Sequence, residues 1–257
     1  MKARHCLPLT LFACAIMISH ACRTQRMIHV IVALCDNVNQ GIVPVPAALG
    51  NGQDTERNLY WGAAYGVRSW FNKSKEWKRI ERFADPRKDI LERIIWKHAT
   101  DNVYLVADAY DGKFIQRATN DFLSYAGGHD PSIIRIGNEQ LAIGGSADLI
   151  VYCGHDGLME FAQPAARQPA NSTKRETIIL ACISKRFFNA PLRSTGATPL
   201  LWTTGLMAPE AYTLDAAIQG WIRKESQEQV RERAAQAYSK WQKCGAGAAR
   251  KLLVSGW

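Results

Sequence analysis

The residues with the most chemical promise are a histidine and a cysteine, each arriving directly after an apolar run. Leu149-Ile150-Val151-Tyr152-Cys153 delivers Gly154-His155-Asp156-Gly157, and Thr177-Ile178-Ile179-Leu180-Ala181 delivers Cys182-Ile183-Ser184. A thiol of ordinary pKa is mostly protonated at neutral pH, and an adjacent imidazole can take its proton or stabilise its thiolate. His155 can serve Cys182 in this way if the two runs are neighbouring strands. Glycine permits close backbone approach, so the Gly157 amide, with that of Cys182, is a candidate donor to a developing oxyanion. Asp36 and Asn37 follow a third apolar run, and either can orient the imidazole as a third group.

Simpler roles compete for the same residues. A buried core cysteine at a strand end accounts for Cys182, and a loop histidine bonded to backbone accounts for His155. Cys153, His155 and Cys182 can approach a metal, but a fourth ligand is missing and no CxxC pair is present. Asp108 and Asp111, which follow another apolar run, form an acid pair or cap turns. Neither GxGxxG nor GxxxxGK[ST] occurs, which leaves a nucleotide-binding loop unsupported. No organic cofactor or metal follows from this pattern.

The elements that must position these residues alternate. Met27–Leu34, Val103–Ala107, Leu149–Cys153, Ile178–Cys182 and Pro199–Thr203 are short apolar runs of the kind covered on both sheet faces. Asn37–Arg57 holds Gly41, Pro44, Pro46, Gly50 and Gly52 and is expected to be a long loop. Helical spacing is expected over Leu59–Phe71, Ile90–His98 and Phe114–Leu123, with the last helix ending before Gly127-Gly128. The charges from Lys73 to Arg82 suit a solvated helix face. Two terminal helices are expected within residues 207–243, the first from about Pro209. The order implies an α/β fold with a mostly parallel sheet and helices on both faces, and ligands in such sheets bind beyond the C-terminal strand ends.

The chain has 257 residues, 47% of them hydrophobic, enough for one large domain over residues 27–257. Lys and Arg exceed Asp and Glu by nine, but the positive residues are scattered, which argues against a nucleic-acid partner. Residues 1–22 have the zones of a secretory signal: basic Lys2, Arg4 and His5, apolar Leu7–Ile18, and small Ser19 and Ala21 before a cleavage point at Cys22. The apolar run is too short for an ordinary membrane span, and Cys22 can instead carry a lipid anchor. A secreted or envelope protein is implied. Its mature form keeps a net charge of +7 and Cys35, Cys153, Cys182 and Cys244, which allow two disulfides without requiring any.

The blocks LIVYCGHDG (Leu149–Gly157) and IILACIS (Ile178–Ser184), histidine before cysteine, resemble the signature of the caspase and legumain group of cysteine peptidases. VIVALCDN (Val30–Asn37) is similar to the first strand of the legumain branch, whose active site includes an Asn near that strand's end; Asn37 is the counterpart. The resemblance runs in element order from Val30 to Trp221. It implies a caspase-like three-layer sandwich and a polypeptide substrate cleaved through a thioester. In it Cys182 attacks, His155 moves the proton, Asp36 or Asn37 orients the ring and Gly157 helps hold the oxyanion. Three features depart from the group. Asp156 separates His155 from Gly157, the interval to Cys182 is short and carries Pro164 and Pro169, and the 37–57 loop is an insertion. A divergent or inactive member, or a secreted α/β protein that binds peptide, glycan or envelope protein without catalysis, is the rival expectation.

Overall fold

The computed structural model describes residues 25–162 and 168–257; the signal segment, Cys22 and Pro164 lie outside the described residues. In chain order the elements are β1 (Arg26–Ala33), α1 (Val67–Lys73), β2 (Trp77–Arg87), β3 (Ile90–His98), β4 (Val103–Tyr110), α2 (Ile115–Ala126), β5 (Ser132–Ile136), β6 (Glu139–Ile143), β7 (Leu149–Cys153), β8 (Glu176–Leu180), α3 (Ser184–Thr195), β9 (Thr198–Thr203), α4 (Ala211–Ile222), α5 (Gln227–Gln242), α6 (Ala246–Leu252) and β10 (Leu253–Val254). Eight strands form one mixed sheet in the order β10-β9-β8-β7-β1-β4-β3-β2, with β5 and β6 as a separate hairpin.

The five apolar runs become the parallel centre of this sheet, β4-β1-β7-β8-β9. Their side chains alternate between two cores. Val30, Val32, Val151, Cys153, Ile178 and Leu180 face the core that includes residues of α1, α4 and α5. Ile31, Ile150, Tyr152 and Ile179 face the one that includes residues of α2 and α3. Burial on both faces explains why these strands lack a polar side. Strand order reverses around β1, so the gap between β1 and β7 is the topological switch at which open α/β sheets take ligands.

Two helix expectations fail on the edge of the sheet. Ile90–His98 is a strand, paired antiparallel with β4 on one side and with β2 on the other. Trp77–Arg82 likewise belongs to β2 and not to a helix face. Ile90, Ile94 and Ile95 fit either period in so short a run, and the β-branched composition together with the waiting edge of β4 decides for the strand. Of Leu59–Phe71 only the segment from Val67 is helical. The preceding residues form successive turns, because at Gly62 and Gly66 the backbone passes so close to carbonyls of Glu56 and Trp61 that a Cβ would clash at 2.1 and 2.4 Å.

The long 37–57 loop is ordered by one buried amide. Asn58 Oδ1 accepts from the backbone N–H of Cys35 and of Tyr60, both at 3.1 Å, while Nδ2 donates to the carbonyls of Cys35 at 2.8 Å and Asn51 at 2.9 Å. Asn58→Ala strands four backbone groups at once. With a stranded buried group costing about 1–3 kcal/mol and partial rescue by water, we expect a loss of about 3 kcal/mol in urea unfolding. Early proteolytic nicking within residues 37–57 should accompany it, and an unchanged midpoint would contradict this role.

Candidate active site

Strands β7 and β8 are adjacent and parallel, with Cys153 in register with Leu180. The ladder carries one step further through Gly154 N–H to the Leu180 carbonyl at 3.2 Å. His155 and Cys182 thus each lie two residues beyond a registered pair, on neighbouring strands at the C-terminal edge. The turn into His155 depends on Gly154. Its φ is +151°, and a Cβ there would stand 2.7 Å from the Ala33 carbonyl oxygen of β1. Tyr152 Oη donates to the His155 carbonyl at 2.8 Å and fixes the next residue of the turn.

The turn out of β8 is strained. Ile183, directly after Cys182, has φ +51° and ψ +29°, a left-handed conformation that is an outlier for a β-branched residue. It is held from three sides. Ile183 N–H donates to Gly205 O at 2.9 Å, Ser184 Oγ donates to Ile179 O at 3.0 Å, and Thr203 N–H donates to Ser184 Oγ at 3.0 Å. A strand, a nucleophile candidate, a strained residue and a helix follow one another, as in the sharp turns that present catalytic side chains above a sheet.

Cys182 is half-buried, and its sulfur sits against the 204–210 loop: Met207 N–H approaches Sγ at 3.4 Å, and Sγ approaches the Met207 carbonyl at 3.6 Å. Burial pushes its thiol pKa up; the Met207 amide works against this, and the charge of Asp156 adds to it. His155 is 8% exposed, and its Nε2 is paired with Glu160. Gly41 N–H donates to the same Glu160 oxygen, Oε1, tying the ring's partner to the 37–57 loop. No hydrogen bond joins His155 to Cys182 among the described residues, and Nδ1 is the ring nitrogen left over.

Asp36 and Asn37 serve the loop that follows β1. Asp36 Oδ1 accepts from Val38 N–H at 2.9 Å and Asn39 N–H at 3.1 Å, and Oδ2 accepts from the amides of Asn39 at 2.8 Å and Gln53 at 3.1 Å. Burial opposes its charge, but these donors outweigh it and hold its pKa below the ordinary value. Asn37 pairs through its amide with both backbone groups of Val45, at 2.7 and 3.0 Å. No hydrogen bond joins either to His155 among the described residues. The group paired with the His155 ring is Glu160, and its only sequence signal is a carboxylate five residues after the histidine.

Gly157 opens a short 3-10 turn, Gly157–Met159, that Asp156 caps through Oδ1 accepting from Leu158 N–H at 3.0 Å. Among the described residues no hydrogen bond occupies the N–H of Gly157 or of Cys182. Asp156 is fully buried, its Oδ2 has no partner among the described residues, and desolvation pushes its pKa up to about 7. Asp111 caps the turn after β4, with Oδ1 accepting from Lys113 N–H at 3.1 Å and from the Gln53 amide at 2.6 Å. Asp108 lies inside β4 rather than at its end, bound to Arg93 and His29. The two do not form an acid pair.

Cys35, Cys153, Cys182 and Cys244 are all free thiols. Three of them, Cys35, Cys153 and Cys182, lie within electrostatic reach of the buried Tyr60 hydroxyl. Burial raises Cys35 to about 11 and Cys153 to about 12, so both stay protonated; Cys153 Sγ donates to Pro209 O at 3.1 Å. Among the described residues no group of three or more His, Cys, Asp or Glu side chains is arranged to hold a metal ion, and no helix is long and apolar enough to cross a membrane. Comparison with family models, with curated proteins and with solved structures gives no match for this chain.

Proposed function

We propose that the protein is a cysteine hydrolase of caspase-like architecture that cleaves peptide bonds. The observation that carries this reading is the delivery of His155 and Cys182 to the same edge by adjacent parallel strands, the second through a strained turn. In the proposed step His155 Nδ1 takes the Cys182 thiol proton as Sγ attacks the scissile carbonyl carbon. The carbonyl oxygen becomes an oxyanion held by the N–H groups of Cys182 and Gly157. The C–N bond then breaks, the amine leaves with the proton from His155, and water hydrolyses the thioester. Glu160 holds the ring by Nε2 throughout.

The rim of the edge supports a polypeptide substrate with apolar side chains. Val38 and Val43, each 88% exposed, and Leu206, 73% exposed, stand on the loops that hold Asp36, Glu160 and Cys182. Isolated exposed apolar residues are ordinary on a surface, but here three of the most exposed share the candidate site's own loops.

In a Cys244→Ser background, which removes the exposed thiol, His155→Ala is expected to slow alkylation of Cys182 by iodoacetamide at least tenfold. Cys182→Ala, which removes the attacking atom, is expected to abolish cleavage of an unfolded polypeptide, and His155→Ala to slow it by the roughly 100- to 10,000-fold typical of a lost acid–base partner. Full peptidase activity in the Cys182→Ala protein would falsify the proposal. The thiol and imidazole each hold another partner, and this favours a second reading, an envelope protein that binds without catalysis. Slow alkylation indifferent to His155→Ala is its signature.

A further inference from the structure

A polar cleft of about 330 Å³ is lined by Glu56, Arg68, Ser69, Asn72, Lys73, Arg79 and Arg82. Two of its cations are taken up by carboxylates. Arg68 is clamped by Glu56 through NH1 at 2.6 Å and NH2 at 2.8 Å, and also faces Glu92 at 3.5 Å. Arg82 is held through Nε by the same Glu92, which is 1% exposed and accepts as well from Trp61 Nε1. Asn72 Oδ1 accepts from Trp96 Nε1 at 3.0 Å, which leaves the Asn72 NH2 as a free donor. Lys73 and Arg79 have no side-chain partner among the described residues. Four cations against Glu56 and the buried Glu92 leave a formal excess of two positive charges.

We propose that this cleft binds a phosphate-type anion, the group that a free phosphate or pyrophosphate and a lipid headgroup share. The chemistry matches: Lys73 and Arg79, which hold no carboxylate among the described residues, and the Asn72 NH2 offer donors to a tetrahedral oxyanion, while Glu56 takes both outer nitrogens of Arg68 and Glu92 takes Nε of Arg82. The volume, at the small end of ligand pockets, is ample for a phosphate or pyrophosphate. None of these residues belongs to the candidate active site, so the inference stands apart from the hydrolase reading.

The test is calorimetric titration of the folded protein at low salt with inorganic pyrophosphate, and in a second arm with vesicles of phosphatidylcholine carrying phosphatidic acid. Saturable one-site binding is expected, weakened at least tenfold in Lys73→Ala/Arg79→Ala. The variant Arg135→Ala/Lys174→Ala loses the same charge from exposed positions elsewhere and should bind as the parent does. Saturation by pyrophosphate identifies a free phosphate ligand; saturation by vesicles alone identifies a lipid headgroup. Binding in neither arm, or binding weakened equally by both double substitutions, overturns the assignment and marks the cleft as diffuse surface charge.

Discussion

Asp156→Asn is expected to be more stable than the parent protein at pH 8 and indistinguishable from it below pH 4. The parent carboxyl, raised to about 7 by desolvation, keeps in the folded state a proton that the unfolded chain releases near pH 4. The stability associated with that proton is fully present below the unfolded value and is lost as pH rises through 7. A neutral amide of the same shape is free of this loss. At about 1.4 kcal/mol per pKa unit, the gain at pH 8 is roughly 2–4 kcal/mol. Urea midpoints at pH 4 and pH 8 measure it, and a difference that does not grow with pH would refute it. Removing the Asp156 charge also lifts an opposition to the Cys182 thiolate, so alkylation at pH 8 should quicken in the same variant.

The second large effect is at Asp108, which holds β1, β3 and β4 together from inside the sheet. Its carboxylate accepts from Arg93 Nε at 2.6 Å and NH2 at 2.7 Å and pairs with His29 Nε2 at 3.1 Å. Gly144 N–H donates to His29 Nδ1 at 3.1 Å, which leaves Nε2 as the protonated nitrogen facing the acid. Asp108→Ala leaves the Arg93 guanidinium unpaired in a largely buried place, and losses of about 3–5 kcal/mol are typical when one partner of such a pair is removed. Replacing Arg93 as well, as Arg93→Met/Asp108→Leu, is expected to recover only part of that loss, because the buried His29 Nε2 still loses its acceptor. Burial opposes the Asp108 charge, yet Arg93 and His29 hold its pKa down, to about 2. The stabilisation is therefore present above pH 4 and lost as pH falls toward 2. An acid unfolding limb that is unchanged in Asp108→Ala would refute this account.

The parallel centre was legible because full burial writes itself as unbroken apolar runs, and Leu149–Cys153 is a strand with the bounds expected of it. Glycine pairs marked the end of α2 for the same reason they end most helices. The edge was illegible: Ile90–His98 is a strand only because β4 offers it hydrogen bonds, a fact of tertiary structure that the local period does not contain. At the site, the neighbourhood of His155 and Cys182 followed from strand order. Their actual partners did not. Glu160 reaches His155 from a 3-10 turn, and Met207 reaches Cys182 from a loop beginning more than twenty residues later, and neither distance is encoded by spacing.

The outermost strands have a consequence for how other chains can approach. β2 is broken by register shifts at Arg79/Glu81 and Ala84/Arg87, carries Asp85 at φ +46° and Pro86, and bears Lys78, Arg79 and Arg82. At the opposite margin β10 is two residues long. Kinks, proline, charge and brevity are the features that deny an incoming strand a template. Lateral stacking of copies into fibrils is thereby discouraged, and an extended guest is left the loops above the strand tips as its place to lie.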